Sequence, residues 1–189
     1  MSNLFSVIAA LAILAGPLST VDGRETQVPD RYQRAIGLLE SARTIRNVDD
    51  RNKQIDRAQK LLEQLVAKNS KYPQFAQANA TLAQILLGEA RAAIWGLQSA
   101  TDADRKLQGR QQAREVLGNA RRYFQVALDL SKKQFKEFPV FIDRQTDPDK
   151  FAARRRAELA FIRLQLNLAT CDFAEGHTYD ESNPNFKKV

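Results

Sequence analysis

Apolar residues recur every three or four positions in residues 54–97, and this pattern breaks once, at Lys71-Tyr72-Pro73-Gln74. Such spacing places side chains on one face of an α-helix. The residue before a proline disfavours the helical conformation, and proline itself suits the first turn of a helix. The segment therefore predicts two antiparallel helices joined by a short turn. One such hairpin leaves an apolar stripe uncovered, so we expect neighbouring hairpins to pack on it.

The same periodicity continues along the chain and predicts an all-α fold of about five long helices, either stacked as an α-solenoid or packed as an irregular bundle. The composition agrees with an all-α fold, because glycine and proline are few and alanine and leucine are abundant. We expect Asp30 to cap the first helix and Asp49-Asp50 to cap the second. Thr101 followed by Asp104 predicts a capping box at the start of the fourth helix.

The most regular apolar stripe lies in the fifth helix, where the spacing is three, four, three and four: Leu159, Ile162, Leu166, Ala169 and Phe173. We expect this stripe to pack against the preceding hairpin. Replacing Leu166 by alanine would then cost about 2–5 kcal/mol. The alternative is that the stripe faces solvent here and is an interface for a further repeat. Gly176 is expected to end this helix in a left-handed conformation. Residues from Pro184 onward resemble the opening of another helix, so we expect either the N-terminal part of a longer array or a truncated reading frame.

A short internal spacing occurs four times, with a small residue, a large one four positions later and a small or medium one after three more. The occurrences are Ala35-x3-Leu39-x2-Ala42, Ala58-x3-Leu62-x2-Leu65, Ala120-x3-Phe124-x2-Ala127 and Ala169-x3-Phe173-x2-Gly176. Small residues let two helices approach closely while the large side chain fills the groove. The pattern resembles the second-helix signature of tetratricopeptide (TPR) repeats. The turn Tyr72-Pro73 recurs as Phe138-Pro139.

The resemblance implies degenerate TPR-like hairpins over residues 24–189, because the occurrences start 23, 62 and 49 residues apart rather than the roughly 34 of regular TPRs. The final segment, from Arg154 onward, is similar to repeat units of large exported bacterial TPR proteins. The family implies a protein-binding scaffold without catalytic residues or cofactors. The alternative is an ordinary helical bundle, in which the recurring alanines reflect only the high helix propensity of alanine. The residues expected to pack between repeats are Ala58, Leu62, Leu65, Leu82, Leu86, Ala120, Phe124, Ala127, Leu159, Ile162, Leu166, Ala169 and Phe173.

Residues 4–18 carry no charge and are followed by small residues around Gly23, which predicts a signal peptide over residues 1–23. The apolar run is shorter than the roughly 20 residues of a membrane-spanning helix, although an uncleaved anchor is the alternative. We expect an exported protein, periplasmic or at the cell surface, that begins near Arg24. Cleavage would remove Asp22 and no basic residue, so 29 basic and 21 acidic residues would leave a net charge of +8.

Catalytic motifs are missing from the sequence: it has no Gly-Lys-Ser/Thr phosphate loop and no Gly-x-Ser-x-Gly elbow. The single cysteine and histidine, Cys171 and His177, exclude an intrachain disulfide and the usual zinc sites. We expect Cys171 to be a buried hydrophobic residue, His177 to be a surface residue and Trp95 to be partly buried. The sequence thus predicts a non-catalytic scaffold for a partner polypeptide. The alternative is a basic module that binds an anionic envelope polymer or nucleic acid.

Overall fold

The computed structural model describes residues 30–68 and 74–179. All regular structure in these ranges is helical: α1 Arg31–Thr44, α2 Val48–Lys68, α3 Phe75–Gln98, α4 Ala103–Lys136 and α5 Pro148–Gly176. The predicted all-α fold is therefore confirmed. No helix within the described ranges is long and apolar enough to cross a bilayer. The predicted signal peptide, the turn at Tyr72-Pro73 and the helix start at Pro184 lie outside the described residues.

The described residues divide into two compact units, with the boundary after Ile85, within α3. In the first unit α1 and α2 pack as a hairpin, since only residues 45–47 join them. Alanines with almost no exposed surface let the two helices approach closely. The buried apolar residues of this unit are Tyr32, Ala35, Leu39, Ala42, Ala58, Leu62, Leu65, Ala78, Ala80, Leu82, Ala83 and Ile85.

Side-chain caps fix where the first two helices begin. The Asp30 carboxylate accepts from the Tyr32 amide at 3.2 Å, so its predicted role is confirmed. The predicted capping of α2 by Asp49 and Asp50 is wrong. Oδ1 of Asn47 is the cap, and it accepts from the amides of those two aspartates at 2.9 and 3.1 Å. The two aspartates instead lie in the first turn, where their charge favours the helix dipole.

In the second unit α4 and α5 form the main hairpin, joined by residues 137–147. The predicted capping box is wrong here too: Asp102, not Thr101, accepts from the amides of Asp104 and Arg105, at 2.9 and 3.2 Å. Helix α5 ends at Gly176, as predicted, but Gly176 is its last helical residue and His177 after it is right-handed, so the predicted left-handed end is wrong. The buried apolar residues of α4 are Ala113, Leu117, Ala120, Phe124 and Ala127.

The expected repeat-packing residues divide into two groups. Those of α2, α3 and α4 are buried: Ala58, Leu62, Leu65, Leu82, Leu86, Ala120, Phe124 and Ala127. Those of α5 are exposed: Leu159, Ile162, Leu166, Ala169 and Phe173. Packing between repeats stays a prediction for the first group. Trp95 is exposed rather than partly buried.

Candidate functional site

Helix α5 has two apolar faces, and only one of them is covered. The covered face consists of Ala157, Leu164 and Cys171, which recur every seven residues, together with Ala174. Seven residues are close to two helical turns, so these side chains share one side of the helix. They are buried in the hairpin with α4. Small residues at three of the four positions let the two helices lie close together.

The opposite face of α5 carries the residues that we call the outer stripe: Leu159, Ile162, Leu166, Ala169 and Phe173. The four large side chains are 43%, 42%, 62% and 69% exposed, in chain order. The prediction that the outer stripe packs against the preceding hairpin is therefore wrong. The covered face takes that role, and two groups of polar contacts join α5 to α4.

The first of these contacts is an ion-pair group around Arg121 of α4. Its guanidinium donates to Oδ1 of Asp172 from Nε at 3.1 Å and from Nη2 at 2.6 Å, and Nη2 also donates to Oε2 of Glu175 at 2.6 Å. Burial alone would lower the pKa of Arg121, but the bonds to Glu175 and Asp172 raise it. The carboxylates of Asp172 and Glu175 thus bond α5 to α4.

The second contact holds the residues that follow α5. Nη1 of Arg114 donates to the Thr178 carbonyl at 2.9 Å, and the Thr178 side chain is buried. The same guanidinium lies over the Tyr179 ring, 4.9 Å from its centre. The Tyr179 hydroxyl donates to Glu175 at 3.1 Å. This group anchors the C-terminal end of α5 beside α4.

An open depression of about 560 Å³ lies at the N-terminal end of α5, and we call it the arginine depression. It is lined by Arg144, Pro148, Phe151, Ala152, Arg155 and Arg156. Ala152 and Arg155 precede Leu159 by seven and four residues, so they continue the outer stripe toward the start of the helix. Arg155 pairs with Glu158 at 2.7 Å. Arg144 and Arg156 have no hydrogen-bond or ion-pair partner among the described residues.

The loop before α5 exposes further apolar surface. Val140 and Phe141 are almost fully exposed, whereas the next residue, Ile142, is buried. Arg154, in the second turn of α5, donates to the Val140 carbonyl and lies over the Phe135 ring. These contacts hold the loop beside the beginning of α5.

The arrangement of Cys171 and His177 does not suit nucleophilic catalysis. Burial raises the pKa of the Cys171 thiol to about 11, although the nearby Arg121 charge acts to lower it. A thiolate is the reactive form, so this cysteine is protonated at neutral pH. The His177 ring packs edge-on against Phe173, 4.6 Å between centres, and no hydrogen bond joins it to Cys171 in the described ranges. These ranges also contain no group of three His, Cys, Asp or Glu residues suited to a metal ion.

The run Arg154-Arg155-Arg156 consists of consecutive helical residues, which point to different sides of the helix. Arg154 contacts the loop before α5, whereas Arg155 and Arg156 line the arginine depression. Their neighbour Arg144 comes from the preceding loop. The spacing of Arg156 and Arg163, seven residues apart beside the outer stripe, is the signal that could have been noticed.

Comparison with known proteins gives no relative: no family, curated protein or solved structure matches this chain.

Proposed function

We propose that the chain is a non-catalytic scaffold of the cell envelope, built of TPR-like helical hairpins, that binds partner polypeptides. The observation that carries this proposal is the exposed outer stripe of α5. Large apolar side chains in a contiguous exposed row are uncommon on monomeric proteins and mark interaction surfaces. The buried, protonated Cys171 further supports a binding role over a catalytic one.

Export and TPR-like organisation are part of the same proposal. The uncharged run at residues 4–18 supports export. The recurring small-large-small spacing supports helical repeats, and three of its four occurrences are buried along their helices. Hairpins in both units are the building blocks that such an array requires.

A basic module that binds an anionic polymer is the second candidate. Arg144 and Arg156 favour it, because they present positive charge in an open depression and have no partner among the described residues. The two functions differ in salt dependence. Counterion release makes polyanion binding fall steeply as salt rises, whereas binding through apolar contacts changes little.

Chemical crosslinking in the host followed by mass spectrometry would identify a bound polypeptide, which is then purified for reconstitution. We expect this polypeptide to stay bound at roughly 0.3 M NaCl, with a dissociation constant within about tenfold of its value at roughly 0.05 M. Nuclease-treated and polymer-free samples serve as the control. Recovery of a polyanion alone, with affinity that collapses at the higher salt, would contradict the scaffold proposal and support the second candidate.

A further inference from the structure

We infer that the outer stripe and the arginine depression form one docking surface for an amphipathic helix of a separate polypeptide, with acidic side chains along the edge facing the arginines. The inference rests on the proposed function and deepens it. It names the surface on this chain and the chemistry of the partner segment.

The spacing of the outer stripe is that of a helix–helix seam. Leu159, Leu166 and Phe173 recur every seven residues, with Ile162 and Ala169 between them. These are the a and d positions of a heptad, whose side chains insert between those of a second helix. From Leu159 to Phe173 the seam extends about 21 Å at 1.5 Å per residue. The covered face of α5 lies on the opposite side, at the f positions Ala157, Leu164 and Cys171.

Charges beside a heptad seam select the partner, and one edge of this seam carries positive charges without an ion-pair partner among the described residues. Arg156 and Arg163 both fall at e positions. Neither has an ion-pair partner among the described residues. On the other edge Glu158 already pairs with Arg155 and Asp172 with Arg121. A helix with Glu or Asp facing Arg156 and Arg163 therefore complements this surface, and a further carboxylate can enter the depression beside Arg144.

A second copy of this chain is a poorer occupant in either orientation. In a parallel pair the d positions face each other, which sets Arg155 against the partner's Arg155. In an antiparallel pair the e positions face each other, so Arg156 and Arg163 meet Arg163, Thr170 or His177 of the second copy and no carboxylate. Like charges placed opposite one another are unfavourable. The acidic helix avoids both conflicts.

Two designed helical peptides of about 20 residues test the proposal with the full chain. Both carry leucine and isoleucine at a and d positions. One has glutamate along a single edge and is made in two versions, at g or at e, so that its carboxylates face Arg156 and Arg163 in a parallel or an antiparallel pair; the other has glutamine at both edges. Fluorescence anisotropy at roughly 0.15 M NaCl should show the glutamate peptide binding at least about tenfold more tightly. Leu166→Gln should weaken this binding about tenfold or more. Leu107→Gln, at another exposed helical leucine of the same unit, should change it less than about twofold.

A second pair of variants tests the contribution of the arginine charge to binding. Arg156→Gln should weaken binding of the glutamate peptide about fivefold and leave that of the glutamine peptide unchanged. Arg105→Gln, an exposed arginine of α4, should affect neither. Circular dichroism of each variant checks that the helices are intact. All four substitutions replace exposed or half-buried side chains, so we expect the fold to persist.

Several outcomes would overturn the inference. Equal binding of both peptides, or binding that Leu166→Gln leaves unchanged, excludes the acidic helix on this surface. Sedimentation showing a dimer that Leu166→Gln dissociates would assign the surface to a second copy. Vesicles containing phosphatidylglycerol that bind the chain when neither peptide does would assign it to a lipid surface. A natural partner that binds the parent chain and Leu166→Gln equally would overturn the inference while leaving the scaffold function intact.

Discussion

Helices α2 and α5 carry the same spacing with opposite results. In α2 the pair Ala58 and Leu62 is buried, and Leu62 has no exposed surface. In α5 the pair Ala169 and Phe173 faces solvent, and Phe173 is among the most exposed aromatic side chains described. Spacing therefore identifies residues that share a face, but it does not identify the face that a neighbour covers.

The difference follows from how apolar residues are distributed around each helix. The apolar residues of α2 converge on one side, so α1 has a single face to pack against. The apolar residues of α5 lie on two sides of the helix: Leu164 and Cys171 lie on one side, and the outer stripe lies on the other. Arg121 bonds to Asp172 and Glu175 across the α4–α5 hairpin, so breaking these bonds tests whether they help to determine which side is covered.

The largest expected effect contrasts two leucines of α5 that lie two positions apart. Leu164 is 7% exposed and Leu166 is 62% exposed. Leu164→Ala should lower the free energy of unfolding by about 2–5 kcal/mol, since it leaves a cavity in the hairpin. Leu166→Ala should change it by about 0.5 kcal/mol or less.

Urea titrations followed by circular dichroism measure both variants under identical conditions. Equal losses would mean that both faces are covered in solution, as in a self-associated chain. A larger loss for Leu166→Ala would restore the original sequence prediction and contradict the rotation of α5 described above.

The helices themselves could be predicted from the sequence because their signals are local. Periodicity over a few turns and a helix-ending Gly176 require no knowledge of the rest of the chain. Of the three caps predicted, Asp30 was confirmed and those of α2 and α4 were wrong. The side chains of Asn47 and Asp102 compete with adjacent polar residues for the same amides, and the backbone conformation of the cap residue decides between them.

The surface of α5 could not be predicted in the same way, because its determinants are distant in sequence. Arg121 precedes its partner Glu175 by 54 residues. Arg144 joins Arg155 and Arg156 only when the preceding loop folds back beside the helix. The outer stripe itself was visible in the sequence, and only its solvent exposure required the structure.

A smaller effect concerns Cys171 and sharpens the description of the covered face. Its pKa rises from 9.0 to about 11 on folding, chiefly because of burial. Between these pH values the unfolded chain has lost the thiol proton and the folded chain has kept it. The unfolded state then binds fewer protons, so stability falls as pH rises from about 9 to 11. Urea titrations of the parent chain and Cys171→Ala across this range measure the difference.

The alanine variant is the matched control because it retains Tyr32 and Tyr179, whose pKa values are also raised by burial. The parent chain should lose more stability than Cys171→Ala over the range, and the two should run parallel below pH about 8. Parallel curves throughout would mean that water reaches the thiol, and that the covered face is less closed than described.

The smallest expected effect tests the contact that orients α5. Double-mutant cycles of Arg121→Ala with Glu175→Gln and with Asp172→Asn should each give a coupling of about 0.2–1 kcal/mol, as for partly exposed ion pairs. The coupling to Glu175 should be the larger one, because its side chain is 19% exposed against 53% for Asp172. Arg122→Ala, at the adjacent exposed arginine, should show no coupling to either carboxylate.

If Arg121 sets the rotation of α5, introducing Arg121→Ala should also reduce the difference in stability loss between Leu164→Ala and Leu166→Ala. An unchanged contrast would mean that the small residues of the covered face orient the helix without help from the ion pairs.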